Sequence, residues 1–146
     1  MSAWIFPTTV DKNKPYHYEV DRAFDTLNTL FWGQSRLKSI DIGDTVYIYA
    51  SSPVQTICWR CIVLDVNVAP QNVDIDDSEF EHGYSPDVAY VKLTATRKFN
   101  ATERFKLSYA EMCKHGLKSK MQSPFRPQGE LLEYINSIES SVIYDD

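Results

Sequence analysis

The stretch from residue 45 to 68 most limits how this chain can fold. TVYIYA and TICWRCIVLDVNV are two runs rich in β-branched and aromatic residues, and only SSPVQ separates them. Such side chains fit a pleated surface, so both runs favour extended backbone. Five residues cannot carry a crossover, and the two strands must therefore pair antiparallel. Further strands are expected at residues 3–6, which stop at Pro7, at 88–99, and in a short piece at 103–107. Residues 18–31 set Val20, Ala23, Phe24, Leu27, Leu30 and Phe31 at helical spacing, as residues 128–140 do with Leu131, Leu132, Ile135 and Ile138. Ser108-x-x-Glu111 has the form of a capping box and opens a short helix that stops at Gly116. Residues 8–16, 69–87 and 122–127 read as loops.

At 146 residues there is room for one core and one domain, spanning 1–146. The class is α+β: a small, strongly curved sheet or barrel with flanking helices. No apolar run approaches the ~18 residues of a membrane span, and the first residues lack the pattern of a secretory signal. Three cysteines are too few, and odd in number, for a disulfide framework, which fits a reducing compartment. A soluble, cytoplasmic protein is expected.

The net charge of -5 hides an asymmetry. Residues 63–90 hold seven acidic residues and no Lys or Arg, while residues 97–126 hold eight basic residues against Glu103 and Glu111. The second segment could present a phosphate-facing patch if its cations share a surface. An ordinary solvated face is the competing reading.

No phosphate loop, dinucleotide fingerprint or nucleophile elbow is present, so catalysis is not written in this sequence. Cys58-Trp59-Arg60-Cys61 has C-x-x-C spacing, but no second cysteine pair exists and residues three apart on a strand face opposite sides. Buried thiols are expected there. Asp74, Asp76 and Ser78 resemble a calcium loop only loosely, with Glu79 where that loop needs Gly. No metal and no cofactor are expected. Aromatics make up 13%, several beside polar turns, and a planar heterocycle needs such stacking faces next to hydrogen-bonding groups. Trp32, just before a Gly and beside Gln34 and Ser35, is the strongest candidate.

Four motifs in order carry a resemblance: WIFP at the start, a helix ending in FWGQS, IxxGDxVYIY with its SSP turn, and KHGLKxxxQSP near the end. Together they resemble the EVE domains of the PUA-like superfamily, and more narrowly the EVE-like domain of modification-dependent HNH endonucleases. The resemblance covers residues 4–138. It implies a PUA-like barrel of five to six strands and a pocket for a flipped cytosine with a substituent at carbon 5, such as 5-methyl- or 5-hydroxymethylcytosine. The partner would be double-stranded DNA, and the chain would be a recognition domain without catalysis of its own, either directing a nuclease domain of a longer protein or working alone.

On that basis Trp32, Gln34, Ser35, Tyr49, Ser51 and Ser52, with Trp59, are expected to line the base pocket. Arg97, Lys98, Lys118, Lys120, Gln122, Ser123 and Arg126 are expected at the nucleic-acid backbone, with the acidic loop turned away from the duplex. A modified-RNA or transfer-RNA reader, a nucleoside-binding domain and a scaffold without ligand stay open as alternatives.

Overall fold

The computed structural model describes residues 1–141. Its centre is a five-stranded sheet in the order β1-β4-β5-β7-β3, built from β1 (Ala3–Thr8), β3 (Thr29–Gly33), β4 (Thr45–Ala50), β5 (Thr56–Val68) and β7 (Tyr90–Lys98). β4 and β5 pair antiparallel, as their short connection requires, and β1 lies parallel to β4. The sheet is mixed and does not close into the barrel that the resemblance implies. β1 and β3 are its two edges. A ribbon of β2 (His17–Tyr18) and β6 (Glu81–His82) stands apart from the sheet.

Period-two alternation sends side chains into two cores. Trp4, Phe6, Val46 and Ile48 join Phe24 of α1 (Val20–Leu27) on one face, whereas Ile5, Tyr47, Tyr49 and Ile57 meet the helices on the other. Those helices are α2 (Ala101–Lys106), α3 (Tyr109–Cys113) and α4 (Gly129–Ser140). With both faces covered, the strands read as nearly continuous apolar runs. Phe125 exchanges two backbone hydrogen bonds with Ile5, at 2.8 and 3.2 Å, so residues near 125 cover part of the outer edge of β1.

Three local expectations need correction. The helix expected over 18–31 ends at Leu27: Asn28 takes φ 60, a left-handed conformation that Asn tolerates, and Thr29–Gly33 continues as strand. Leu30 therefore reaches the core from a strand pairing Leu93, not from a helix. Residues 101–106 are helix where a strand was expected, because Asn100 accepts from the Glu103 N–H and Glu103 reaches back to the Asn100 N–H. Cys58 and Cys61 do not face opposite sides. A bulge pairs Ile48 with Trp59 and Tyr49 with Ile57, shifting the alternation at Cys58, and both thiols enter the same core. Burial pushes the Cys58 thiol up to about 11 and the Cys61 thiol higher still, which leaves both protonated.

Among the described residues no helix is long and apolar enough to cross a membrane.

Candidate functional site

Where the sheet fails to close, a cleft of about 420 Å³ opens between the end of β1, at Pro7–Thr9, and the end of β3, at Phe31–Gly33. Aromatic rings form one part of its wall. Trp32 leans on Tyr18 at 5.1 Å and lies parallel to Phe24 at 6.3 Å, so a core ring backs it while it lines the cleft. Tyr84 and Tyr90 add further aromatic surface.

Carboxylates form another part. Asp77, Glu81 and Asp87 all line the same cleft. The Tyr18 hydroxyl donates to Asp77 at 2.7 Å; burial first, and then the Asp77 charge, hold that phenol well above its ordinary range. Burial also raises the Glu81 carboxyl, and the neighbouring Asp77 adds to the shift. Asp87 accepts from the backbone N–H groups of Val88 at 2.7 Å and Ser35 at 3.2 Å, which fixes the loop against the end of β3. Gly33 permits that approach: a Cβ there would stand 2.7 Å from Asp87 Oδ2. The acidic loop thus turns into the cleft, held partly by the β2–β6 pairing.

A second cleft, of about 470 Å³, lies across the same Pro7–Thr9 segment. Tyr49, Ser51, Ser52, Tyr109, Lys120 and Gln122 are among the residues lining it. Burial pushes the Tyr49 phenol up to about 12, with Tyr109 contributing.

The structure therefore divides the expected pocket residues. Trp32 lines the first cleft, while Tyr49, Ser51 and Ser52 line the second. Gln34 lines neither: it is 2 % exposed, its amide nitrogen donates to the Leu37 carbonyl at 2.8 Å and to Asn67 Oδ1 at 2.9 Å, and its oxygen accepts from the Asn67 N–H at 2.7 Å. It ties the turn after β3 to the end of β5. Ser35 is exposed and holds Asp87 through its backbone N–H. Trp59 sits in the first core, donating to Asp21 at 2.7 Å with its ring 5.2 Å from Phe24.

The expected backbone contacts divide as well. Arg97 pairs with the buried Glu103 and donates to the Glu139 carbonyl at 2.9 Å. Lys98 bonds both oxygens of Asp25, at 2.9 and 3.0 Å. Arg104 grips Asp21 with two hydrogen bonds, at 2.9 and 3.0 Å. Burial works to raise that Asp21 carboxyl, but the hydrogen bonds from Arg104 and Trp59 outweigh it and leave Asp21 below the usual range. Lys120 and Gln122 line the second cleft, whereas Lys118 and Ser123 are exposed away from both lining sets. Arg126 lies over the Trp4 ring at 4.7 Å and donates to the Ser39 carbonyl.

Sequence reasoning missed Tyr18, Asp77, Glu81 and Asp87 as site residues. The only signal for the three carboxylates was their density in a long segment, which reads equally well as a solvated loop, and Tyr18 carried none.

No family model and no curated protein matches the sequence. Solved structures do match. A Rhodopseudomonas palustris protein solved by NMR superposes with a TM-score of 0.60 at 13% identity, over 96% of this chain and 94% of that one. A Pseudomonas syringae protein gives 0.61 at 15% identity, over 94% and 99%. These likenesses show the fold alone: an open, mixed-sheet α+β architecture shared with those proteins. Within that fold, the ASCH protein of Zymomonas mobilis matches with a TM-score of 0.52 at 10% identity, over 93% of this chain and 94% of that one.

Proposed function

We propose that this chain is a modified-base reader. It takes a 5-substituted cytosine, 5-methyl- or 5-hydroxymethylcytosine, out of double-stranded DNA and holds it in the first cleft. In that role it would serve as the recognition domain of a modification-dependent HNH endonuclease, as its resemblance to EVE-like domains implies. The supporting observation is the pairing of Trp32 and Tyr18 with Asp77, Glu81 and Asp87 around one cleft. A flipped base offers a flat face for stacking and an edge for hydrogen bonding, and cytosine presents its exocyclic amine as a donor to a carboxylate.

Magnitudes divide the work. Stacking returns about 1–3 kcal/mol per base, which roughly offsets the few kcal/mol that unstacking costs. A buried methyl adds only ~0.8 kcal/mol, about fourfold in affinity. Recognition of the amine edge therefore carries more selectivity than the methyl, and tolerance of several 5-substituents follows.

Fluorescence-anisotropy titration of matched duplexes carrying cytosine, 5-methylcytosine, 5-hydroxymethylcytosine or N6-methyladenine, at two salt concentrations, tests this. A 5-substituted duplex should bind tightest, and Trp32→Ala should weaken it about ten- to hundredfold. Equal affinity across the panel contradicts the proposal. Tighter binding of RNA than of DNA of the same sequence would move the reading to modified RNA, since it demands contacts to the 2′-hydroxyl.

A second reading, a site for free modified nucleosides, gains support from the charge. Three carboxylates line the first cleft, and Arg97, Lys98 and Arg104 are engaged in internal ion pairs. Binding of nucleosides with no salt-sensitive duplex binding would favour it.

A further inference from the structure

The two clefts share the wall formed by Pro7–Thr9 and carry opposite charge. The residues lining the first include Asp77, Glu81 and Asp87 and no Lys or Arg. Among the described residues, those lining the second include Lys120 and no Asp or Glu. The remaining polar groups of the second cleft are hydroxyls and amides, from Tyr49, Ser51, Ser52, Tyr109, Gln55 and Gln122. Tyr49, 3 % exposed as a residue, is among the side chains that line this cleft. Burial keeps this phenol protonated, and hence a donor, across the physiological range. A cavity with one ammonium, several neutral donors and no carboxylate suits an anion with several acceptor oxygens. Both clefts are lined by the same three residues, Pro7–Thr9, so the two sites adjoin.

The geometry points to the second cleft as a phosphate site for the nucleotide whose base occupies the first, with Lys120 and the Tyr49 hydroxyl as its principal donors. This rests on the reading of the first cleft as a base site. The ligand class is an amine-bearing pyrimidine nucleotide. Its phosphate comes either from a mononucleotide or from the strand that carries the flipped base, and the chemistry of the site is the same for both.

Calorimetric titration separates the two claims. The ligands are 5-methyl-2′-deoxycytidine, its 5′- and 3′-monophosphates, and a short single strand containing 5-methylcytosine; the proteins are the wild type, Lys120→Ala and Trp32→Ala. Lys120 is exposed, so its truncation leaves the fold intact, which circular dichroism checks. At least one monophosphate should bind the wild type about tenfold more tightly than the nucleoside. Lys120→Ala should abolish that advantage and leave nucleoside affinity unchanged, while Trp32→Ala should weaken every ligand. If the single strand shows the same dependence on Lys120, the phosphate belongs to a nucleic acid; if only the mononucleotide does, it belongs to a free nucleotide. Equal affinity for nucleoside and monophosphates, or an advantage that survives Lys120→Ala, overturns the phosphate site and leaves the base reading standing. If no ligand in the panel binds, the base reading fails and the phosphate site fails with it.

Discussion

The acidic stretch between residues 74 and 87 and the basic stretch between 97 and 126 use their charge in opposite ways. Four of the basic residues lie within hydrogen-bonding reach of a carboxylate: Arg97 on Glu103, Lys98 on Asp25, Arg104 on Asp21 and Lys114 on Glu111. Their charge is largely neutralised where it stands; the first three fasten β7 and α2 to their neighbours, and Lys114 pairs with Glu111 at the end of α3. The acidic stretch does the reverse: Asp77, Glu81 and Asp87 line the first cleft, and no Lys or Arg lines it with them. A run of like charge creates a field only where counter-charges stay away. Here the basic segment builds structure and the acidic one gives the cleft its polarity.

The largest effect that would break this comparison belongs to Glu103. It is 3 % exposed, pairs Arg97 and completes the cap of α2, so Glu103→Ala should cost about 3 kcal/mol of stability in urea unfolding. Native stability in that variant, together with loss of ligand binding in Arg97→Ala, would return Arg97 to the role of a phosphate contact. Gly33→Ala should act next. Its methyl would displace Asp87 from the end of β3, costing about 1–2 kcal/mol and weakening base binding, as calorimetry of the variant would read.

Acid titration sharpens the comparison, because the two regions should titrate apart. Asp21, paired with Arg104, has its carboxyl lowered on folding, so its contribution is present above the unfolded value near 4 and is lost as pH falls through the folded one. Glu19 behaves likewise, held at about 2 first by the His82 hydrogen bond and then by Arg22. Glu81 has the opposite sign: its raised carboxyl favours the protonated form, and that contribution is lost as pH rises through the folded value. Carboxyl chemical shifts followed by NMR should show Asp21 titrating below Glu81. The reverse order would contradict the division between paired and cleft carboxylates. The smallest effect is expected at Lys98, whose pair with Asp25 is half exposed on both sides; Lys98→Ala should change stability by less than about 0.5 kcal/mol in the same urea assay.

The sheet was readable because its strands announce themselves in β-branched and aromatic residues joined by a short turn. Residues 29–33 were not, because Leu30 and Phe31 happen to continue the helical spacing of Val20 to Leu27, and only Asn28 marks the change. The Asn100-x-x-Glu103 cap was legible in principle, and the apolar residues beside it drew the reading toward a strand. At the site, Trp32 could be recognised from its place before Gly33. Gln34 could not be separated from it, since nothing local shows that Asn67, thirty-three residues later, takes up its amide. The carboxylates of the first cleft depend on the His17–His82 pairing between β2 and β6, a two-residue contact that no periodicity reveals.

The most direct test compares 5-methyl-2′-deoxycytidine with thymidine in calorimetric titration of the wild-type chain. The two pyrimidines carry the same methyl group and sugar and differ on the pairing edge, where cytosine presents a 4-amine donor and an N3 acceptor and thymine a 4-carbonyl acceptor and an N3–H donor. If carboxylates read the 4-amine, the cytosine compound should bind at least about tenfold more tightly, because thymine puts a carbonyl acceptor at that position against Asp77 and Glu81. Equal affinity, or a preference for thymidine, would contradict the assignment of the acidic cleft as the base site.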